Sequence, residues 1–435
     1  MPMNKKNDTE VIPFAKPYIG KEEEKAVLTV LRSGWLTTGK ETLAFEKDFE
    51  DFLKAGSGKH NRVRKSGSGA PDGADENPLY CMAVNSATSG LHLALEACGI
   101  KKGDLVLLPS MTFTSTAEVI RYLGAEAVFV DVRKGSYHID PAALEHTLSG
   151  LEKGTIPLRG RTRRGKAAAV MLVHFGGLPC DMDAILPIAK KYGLKVIEDS
   201  AHAFPSLIPA PSPRPPLFAG TMGDAGVFSF YATKTVTSGE GGMVVTRNKA
   251  IADRIKIMRS HGIDRSIWDR YTDTKASWYY EVVEPGFKYN IPDILSALGR
   301  VQLRRCWDLF AMRKEIAQRY DKAFANDGHF ILPPTGPADA RHIYPLRLKL
   351  EKLSIDRTEF AAKMQERGIG ISVHFIPLHI MPYYKKRYSL EDVDFPETLD
   401  TFKRTISLPV WPGMTEAQVK RVITVVKTLG SEYNK

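Results

Sequence analysis

A lysine closes one strand-like run and meets a glycine-rich turn: Gly226-Val227-Phe228-Ser229-Phe230-Tyr231-Ala232-Thr233-Lys234, then Ser238-Gly239-Glu240-Gly241-Gly242. Most lysines lie on solvated surfaces, and that is the bland reading here. Held instead in a partly desolvated pocket, the amine loses its proton more easily and can form a Schiff base with an aldehyde. The glycines would let backbone approach a bulky ligand closely. A second group stands upstream in Val196-Ile197-Glu198-Asp199-Ser200-Ala201-His202-Ala203, where a strand runs into an acid, small residues and a histidine. Ligands of open parallel sheets gather beyond the carboxyl ends of strands, which places Asp199 where a ligand would be. Its bland reading is the N-cap of a following helix.

One cofactor uses both groups. Pyridoxal phosphate (PLP) takes a lysine at its aldehyde and an acid beside its pyridine nitrogen. An ionised Asp199 would keep that nitrogen protonated, and Lys234 would hold the cofactor. The phosphate needs a cradle, and Asn85-Ser86-Ala87-Thr88-Ser89-Gly90 offers a small polar turn opening a helix, whose free N–H groups and dipole favour an anion. Thr88 and Ser89 could add hydroxyl donors, and Ser229 another.

These groups require a scaffold of alternating strands and helices. From Tyr80 to about Val245, short β-branched runs (Tyr80–Val84, Leu105–Leu108, Ala127–Val132, Ala167–His174, Lys195–Glu198, Gly226–Ser229, Gly242–Thr246) alternate with helical patterns (Ser89–Ala97, Ser115–Leu123, Ile185–Tyr192). That order predicts an α/β fold with a mostly parallel central sheet and helices on both faces. Helical patterns resume at Lys249–Ser260 and Pro292–Tyr320. Beyond Pro334, strand-like Ile343–Leu348 and Ile371–His374 alternate with helix-like Arg357–Arg367 and Glu416–Leu429, which predicts a smaller C-terminal α+β domain. The expected division is an N-terminal arm over 1–30 that attaches to the small domain, a large domain over 31–310 and the small domain over 311–435. Two stretches read as surface excursions: Ala55–Asn77, rich in Gly, Ser, Lys and Asp, and the proline-dominated Pro205–Pro216.

Composition sets outer bounds. The chain has 435 residues, 43% hydrophobic and 26% charged, enough for two domains with sizeable cores. No run of about 18 apolar residues exists, which excludes a membrane-spanning helix, and the N-terminus does not read as a signal peptide, so the cytoplasm is the expected location. The four cysteines are widely spaced with no C-x-x-C pair, and read as buried thiols rather than disulfides or a zinc site. The net charge of +11 suits phosphorylated ligands. Its visible cluster, Leu158–Lys166, reads as a solvated loop, so no nucleic-acid partner is expected.

The motifs themselves are recognisable. Asn85–Leu95 (NSATSGLHLAL), Pro109–Thr116 (PSMTFTST), Val173–Ile185 (VHFGGLPCDMDAI), Val196–Ala203 (VIEDSAHA), Phe228–Lys234 (FSFYATK), Gly239–Gly242 (GEGG) and Glu284–Gly299 (EPGFKYNIPDILSALG) occur in this order. Together they resemble the DegT/StrS family of sugar-nucleotide aminotransferases, a branch of the fold-type I PLP enzymes. The likeness runs from about Ile12 to the C-terminus, interrupted by the two excursions. Ser33–Gly39 (SGWLTTG), His261–Arg270 (HGIDRSIWDR) and Val373–Tyr384 (VHFIPLHIMPYY) are most similar to members that aminate C4 of UDP-linked 4-keto sugars, of the 4-amino-4-deoxy-L-arabinose type.

The resemblance implies that Lys234 carries the cofactor and shuttles the proton, Asp199 pairs with the pyridine nitrogen, and His202 contacts the phenolic oxygen. It implies that Phe113 stacks on the ring, where the bland alternative is a core aromatic, and that Thr88, Ser89 and Ser229 hold the phosphate. Asn290 resembles a residue that reaches the phosphate from a neighbouring subunit, with Lys288 standing where many members carry another asparagine, so a homodimer with shared sites is expected. The implied reaction moves an amino group from a donor, glutamate, to the keto carbon of a nucleotide-linked sugar. One departure is Gly176-Gly177, where members often have tyrosine then glycine; it is expected to leave room near the site.

Four alternatives remain at this stage. A 3-keto sugar or an amino acid could be the acceptor. Dehydratase relatives carry a histidine where Lys234 stands. A non-catalytic PLP-binding regulator would lack the full set of Asp199, His202, Ser229 and Lys234. A metal hydrolase could be built on His174, Asp181 and Asp183, although Asp at these positions reads more simply as a helix cap, and no metal is expected.

Overall fold

The computed structural model describes residues 11–56, 78–155, 165–209, 216–264 and 279–435. Seven strands form the central sheet: β1 (Tyr80–Val84), β2 (Leu105–Pro109), β3 (Glu126–Val130), β4 (Ala167–Val173), β5 (Lys195–Asp199), β8 (Ala225–Ser229) and β9 (Gly242–Thr246). Their spatial order is β1-β9-β8-β5-β4-β2-β3, and only β9 runs against the rest. Strands such as β2, β8 and β9 are buried at every residue, as a sheet covered on both faces requires. Helices Ala87–Ala97, Ser115–Tyr122 and Lys249–Met258 cover one face with an aliphatic core. On the other face, helix Lys40–Ala55 contributes Phe45, Phe49 and Phe52 to an aromatic cluster with Phe204, Phe228 and Phe230.

A second, antiparallel sheet lies toward the C-terminus: β10 (Phe330–Ile331), β11 (Tyr344–Leu348) and β12 (Thr405–Leu408), in that order. Helices Cys306–Phe324, Arg357–Glu366 and Glu416–Glu432 pack on it around Tyr320, Tyr344, Phe360 and Val422. The N-terminal segment divides its contacts. Ile12 bridges to Ile369 and Trp411 Nε1 donates to the carbonyl of Pro13, beside the small sheet. Helix Lys21–Ser33 instead lies on helix Asp293–Arg304, where Gln302 Nε2 donates to the buried Glu23 at 2.7 Å.

Several expectations need correction. The stretch from Pro205 is not all surface: Phe204 to Ile208 are buried, and β6 (Leu207–Ile208) pairs with β7 (Leu217–Phe218). Residues 210–215, most of the Ala55–Asn77 excursion, most of the basic run and the second half of His261–Arg270 lie outside the described residues. The pattern Pro292–Tyr320 is two helices that meet at Arg305. Ile371–His374 forms no strand and keeps a single bridge, Ser372 to Ser407. Among the described residues no helix is long and apolar enough to cross a membrane.

Candidate active site

Five parallel strands deliver their carboxyl ends to one cleft of about 450 Å³. Ser86, Ala87 and Thr88 follow β1, Thr112 and Phe113 follow β2, Val173 ends β4, Asp199 ends β5, and Ser229 ends β8. Period-two alternation explains the last of these. Phe228 and Phe230 enter the aromatic cluster, so Ser229 and Tyr231 face the opening. The chain then turns back, with Lys234 N–H donating to the carbonyl of Tyr231, and Lys234 reaches the same cleft as Asp199. The far wall comes from the C-terminal half: Arg313, His342, Ile343, His374, Phe375 and Val410.

Lys234 is half-buried and makes no side-chain hydrogen bond among the described residues. Burial pulls its pKa down to about 8; the carboxylate of Asp199 opposes this and Arg313 adds to it. Asp199 is buried, and no helix follows it, so the capping alternative fails. Burial pushes its pKa up, while the N–H of Ala201 (3.1 Å), the hydroxyl of Thr116 (2.9 Å) and Lys234 act to hold the charge. His202 lies between them and the far wall. Gly176 N–H donates to its Nδ1 at 3.3 Å, which leaves the proton on Nε2 and makes that atom a donor. Burial and the neighbouring Lys234 push its pKa well down, so the ring is neutral.

The other expected residues are placed as follows. Phe113 lines the cleft and is 55% exposed, so it is not a core aromatic. Thr88 is on the wall, and the N–H groups of Ala87 and Thr88 have no partner among the described residues, as at any helix start. Ser89 is not on the wall. Its hydroxyl donates to Asn85 Oδ1 at 2.6 Å and its N–H is capped by Ser86, so it supports the turn from behind. Asn290 is also outside this cleft, bonded to Thr38 and to Lys288 at 2.6 Å each. Gly242 admits backbone rather than ligand: a Cβ there would sit 2.8 Å from Ala87 N, so its absence lets β9 press on the Ser86–Ala87 turn.

The Gly176-Gly177 pair does not leave open space. Gly177 has a φ of 101°, and a Cβ on it would meet Ala340 and the N of Arg341 at 2.9 Å. Ala340 N–H donates to Gly177 O and His342 N–H to Gly176 O, so the segment before β11 fills the room and carries His342 into the cleft. Beneath the site, Glu198 accepts from His174 Nε2 (2.9 Å) and from the N–H groups of Gly220, Met222 and Gly223. His174 is thereby committed to positioning, and its backbone N–H donates to the carbonyl of Asp199. Asp181 caps helix Met182–Lys191 by accepting Ala184 N–H. Among the described residues no group of three or more His, Cys, Asp and Glu is gathered to hold a metal.

The residues present fit PLP on three observations: a depressed lysine and a buried acid share one cleft, an exposed aromatic flanks it, and unclaimed N–H groups at a helix start lie on the same wall. The family model for the DegT/DnrJ/EryC1/StrS aminotransferases matches residues 17–70 and 77–427. This chain belongs to that family. It is 39% identical over 421 residues to the spore coat polysaccharide biosynthesis protein SpsC of Bacillus subtilis, covering 96% of this chain and 97% of SpsC. Among solved structures it is similar to Spr1654 of Streptococcus pneumoniae, assigned as a sugar aminotransferase. The PMP form gives a TM-score of 0.80 at 26% identity, covering 97% of this chain and 99% of that one. A PLP form of the same protein gives 0.78. Helicobacter pylori PseC, an aminotransferase of pseudoaminic acid biosynthesis, gives 0.79 at 25% identity, covering 98% and 100%.

Sequence reasoning about this aminotransferase missed Thr116, Arg313, His342 and His374. Thr116 had a signal, the hydroxyl-rich Pro109–Thr116 run. Arg313 had none, because a helical Arg-Lys pair reads as surface. His342, just before β11, and His374, in an irregular segment, reach the site from more than a hundred residues beyond Lys234.

Proposed function

We propose that this protein is a PLP-dependent aminotransferase that moves an amino group from glutamate to the C4 keto carbon of a nucleotide-linked sugar. The observation that carries the reading is Lys234 facing Asp199 across a single cleft in a chain of this aminotransferase family. SpsC, Spr1654 and PseC support a sugar acceptor by their described roles. When bound, PLP supplies the aldehyde that accepts nitrogen and the ring that draws off electrons. Asp199 would hold a proton at the ring nitrogen, His202 would donate from Nε2 to the phenolic oxygen, and Phe113 would lie against the ring. Thr88, Ser229 and the N–H groups of Ala87 and Thr88 receive the phosphate. Ser89 orders that turn.

Lys234, once its amine is free, would carry the proton between the carbon of the donor or acceptor and the cofactor carbon, taking it from one and delivering it to the other. A pKa near neutrality suits it to act as base in one direction and acid in the other. Asn290, outside this cleft and bonded to Thr38 and Lys288, would serve the phosphate of a second copy, which would make the working form a homodimer.

The test uses the purified protein and UDP-, dTDP- and GDP-linked keto sugars with glutamate. We expect a visible absorbance band that Lys234→Ala abolishes together with turnover, and 2-oxoglutarate release with a UDP-linked 4-keto sugar. An active Lys234→Ala protein without added amine ends the proposal. Preference for a 3-keto sugar overturns the C4 assignment alone.

A further inference from the structure

Arg313 is 3% exposed, lines the cleft and has no carboxylate partner among the described residues, which is costly for a guanidinium. Its bonds all go to backbone carbonyls. Nη2 donates to Thr233 O at 3.0 Å, and Nη1 donates to His342 O at 3.1 Å and Val410 O at 2.5 Å. The three acceptors sit on three separate segments, and each lies on the cleft wall. One of them immediately precedes Lys234. A neutral side chain could have filled this volume without the desolvation cost of the charge. Retention of a buried, unpaired cation next to the working amine therefore asks for a role.

We propose that Arg313 is a positioning residue for Lys234, tying the lysine segment to both C-terminal walls of the cleft and placing an uncompensated positive charge beside the amine. The two parts have different consequences. The planar fork spans carbonyls that a point-charge ammonium cannot all reach, so it sets where Nζ stands. The charge disfavours the protonated state of the nitrogen at Lys234. Burial draws the pKa of Arg313 itself down only to about 10, so it stays cationic through the working range.

Other charged and titratable groups around Lys234 are Asp199, which acts in the opposite direction, and His202, His342 and His374, whose rings burial keeps neutral. Glu240 and Tyr231 lie at the exposed rim, where solvent screens them. Arg313 is thus the one permanent cation on this wall among the described residues.

The inference rests on Lys234 bonding to PLP, and the experiment separates the two. The holoenzyme is titrated by visible absorbance, and the midpoint of the lysine–cofactor band is compared in wild type, Arg313→Gln and Arg313→Lys. Removing the cation should raise the midpoint by roughly one pH unit in Arg313→Gln, the scale of a like charge nearby. Arg313→Lys should keep the wild-type midpoint but lose about tenfold or more in kcat with KM for glutamate little changed, on the scale of a misplaced catalytic group. A wild-type protein with no visible band refutes the cofactor reading itself. A normal wild-type band with an unmoved midpoint in Arg313→Gln overturns the charge role, and wild-type kcat in Arg313→Lys overturns positioning. If Arg313→Gln does not fold, Arg313→Lys alone decides, since a purely structural arginine would alter stability without separating kcat from the midpoint.

Discussion

Replacing Asp199 by asparagine removes one charge from the cleft and almost nothing else. The amide oxygen can keep the N–H of Ala201, and the amide nitrogen then faces the hydroxyl of Thr116. That hydroxyl can reverse and accept, handing its own proton to Thr112, 2.7 Å away. Every bond survives, so the cost in stability is at most about 1 kcal/mol. The electrostatic effect is larger. An amine that loses an anionic neighbour holds its proton less tightly, so the pKa of Lys234 falls below its value of about 8. One opposite charge nearby is worth roughly 1–3 units. The neutral amine is the nucleophile, so the rate of PLP uptake by stripped protein should rise through about pH 8 in wild type. In Asp199→Asn the rise should come near or below pH ~7. Turnover should drop on the order of 10²–10³-fold, because the ring nitrogen has lost its stabilising anion. An uptake profile superimposable on wild type, or normal turnover, would refute the electrostatic link between these two residues.

Phe113→Ala should leave the unfolding midpoint within about 0.5 kcal/mol of wild type, since the ring is exposed, yet weaken PLP about tenfold in equilibrium titration. Equal affinity in the variant would remove Phe113 from the cofactor face. Glu198→Gln puts an N–H₂ among four donors, so chemical denaturation should register a loss of about 2–4 kcal/mol; an unchanged midpoint would contradict the assigned network. Gly242→Ala sets a methyl 2.8 Å from the backbone of Ser86 and Ala87, and should weaken PLP binding by displacing the phosphate turn. Tight binding by that variant would mean the turn is not part of the cradle.

Much of the site was readable because its chemistry lies at strand ends. A buried parallel strand announces itself as a short apolar run, and the residue after it faces the ligand side by geometry alone. Asp199 and Ser229 are legible for that reason, and so is the Ser86–Thr88 turn; Lys234, beyond a turn after β8, is legible from its chemistry beside the glycine-rich segment. The direction of the Ser89 hydroxyl was not legible, because composition cannot say whether it points into a cleft or back to Asn85. The proline-rich stretch was misjudged because prolines forbid regular strand but not burial, and Phe204–Ile208 is anchored by aromatic packing. The glycines at 176 and 177 were taken as empty space, although a missing Cβ equally admits another backbone.

The linear order of residues determined the strand–helix alternation, the family, and which lysine and which acid come together in the cleft. Those depend on local pattern and on side-chain chemistry, both carried within short windows. Tertiary structure alone decided the far wall: Arg313, His342 and His374 enter the cleft because the small sheet docks over the strand ends. Tertiary structure also settled the tautomer of His202 and the depressed pKa of Lys234, since both follow from burial and from neighbours that are distant in the chain.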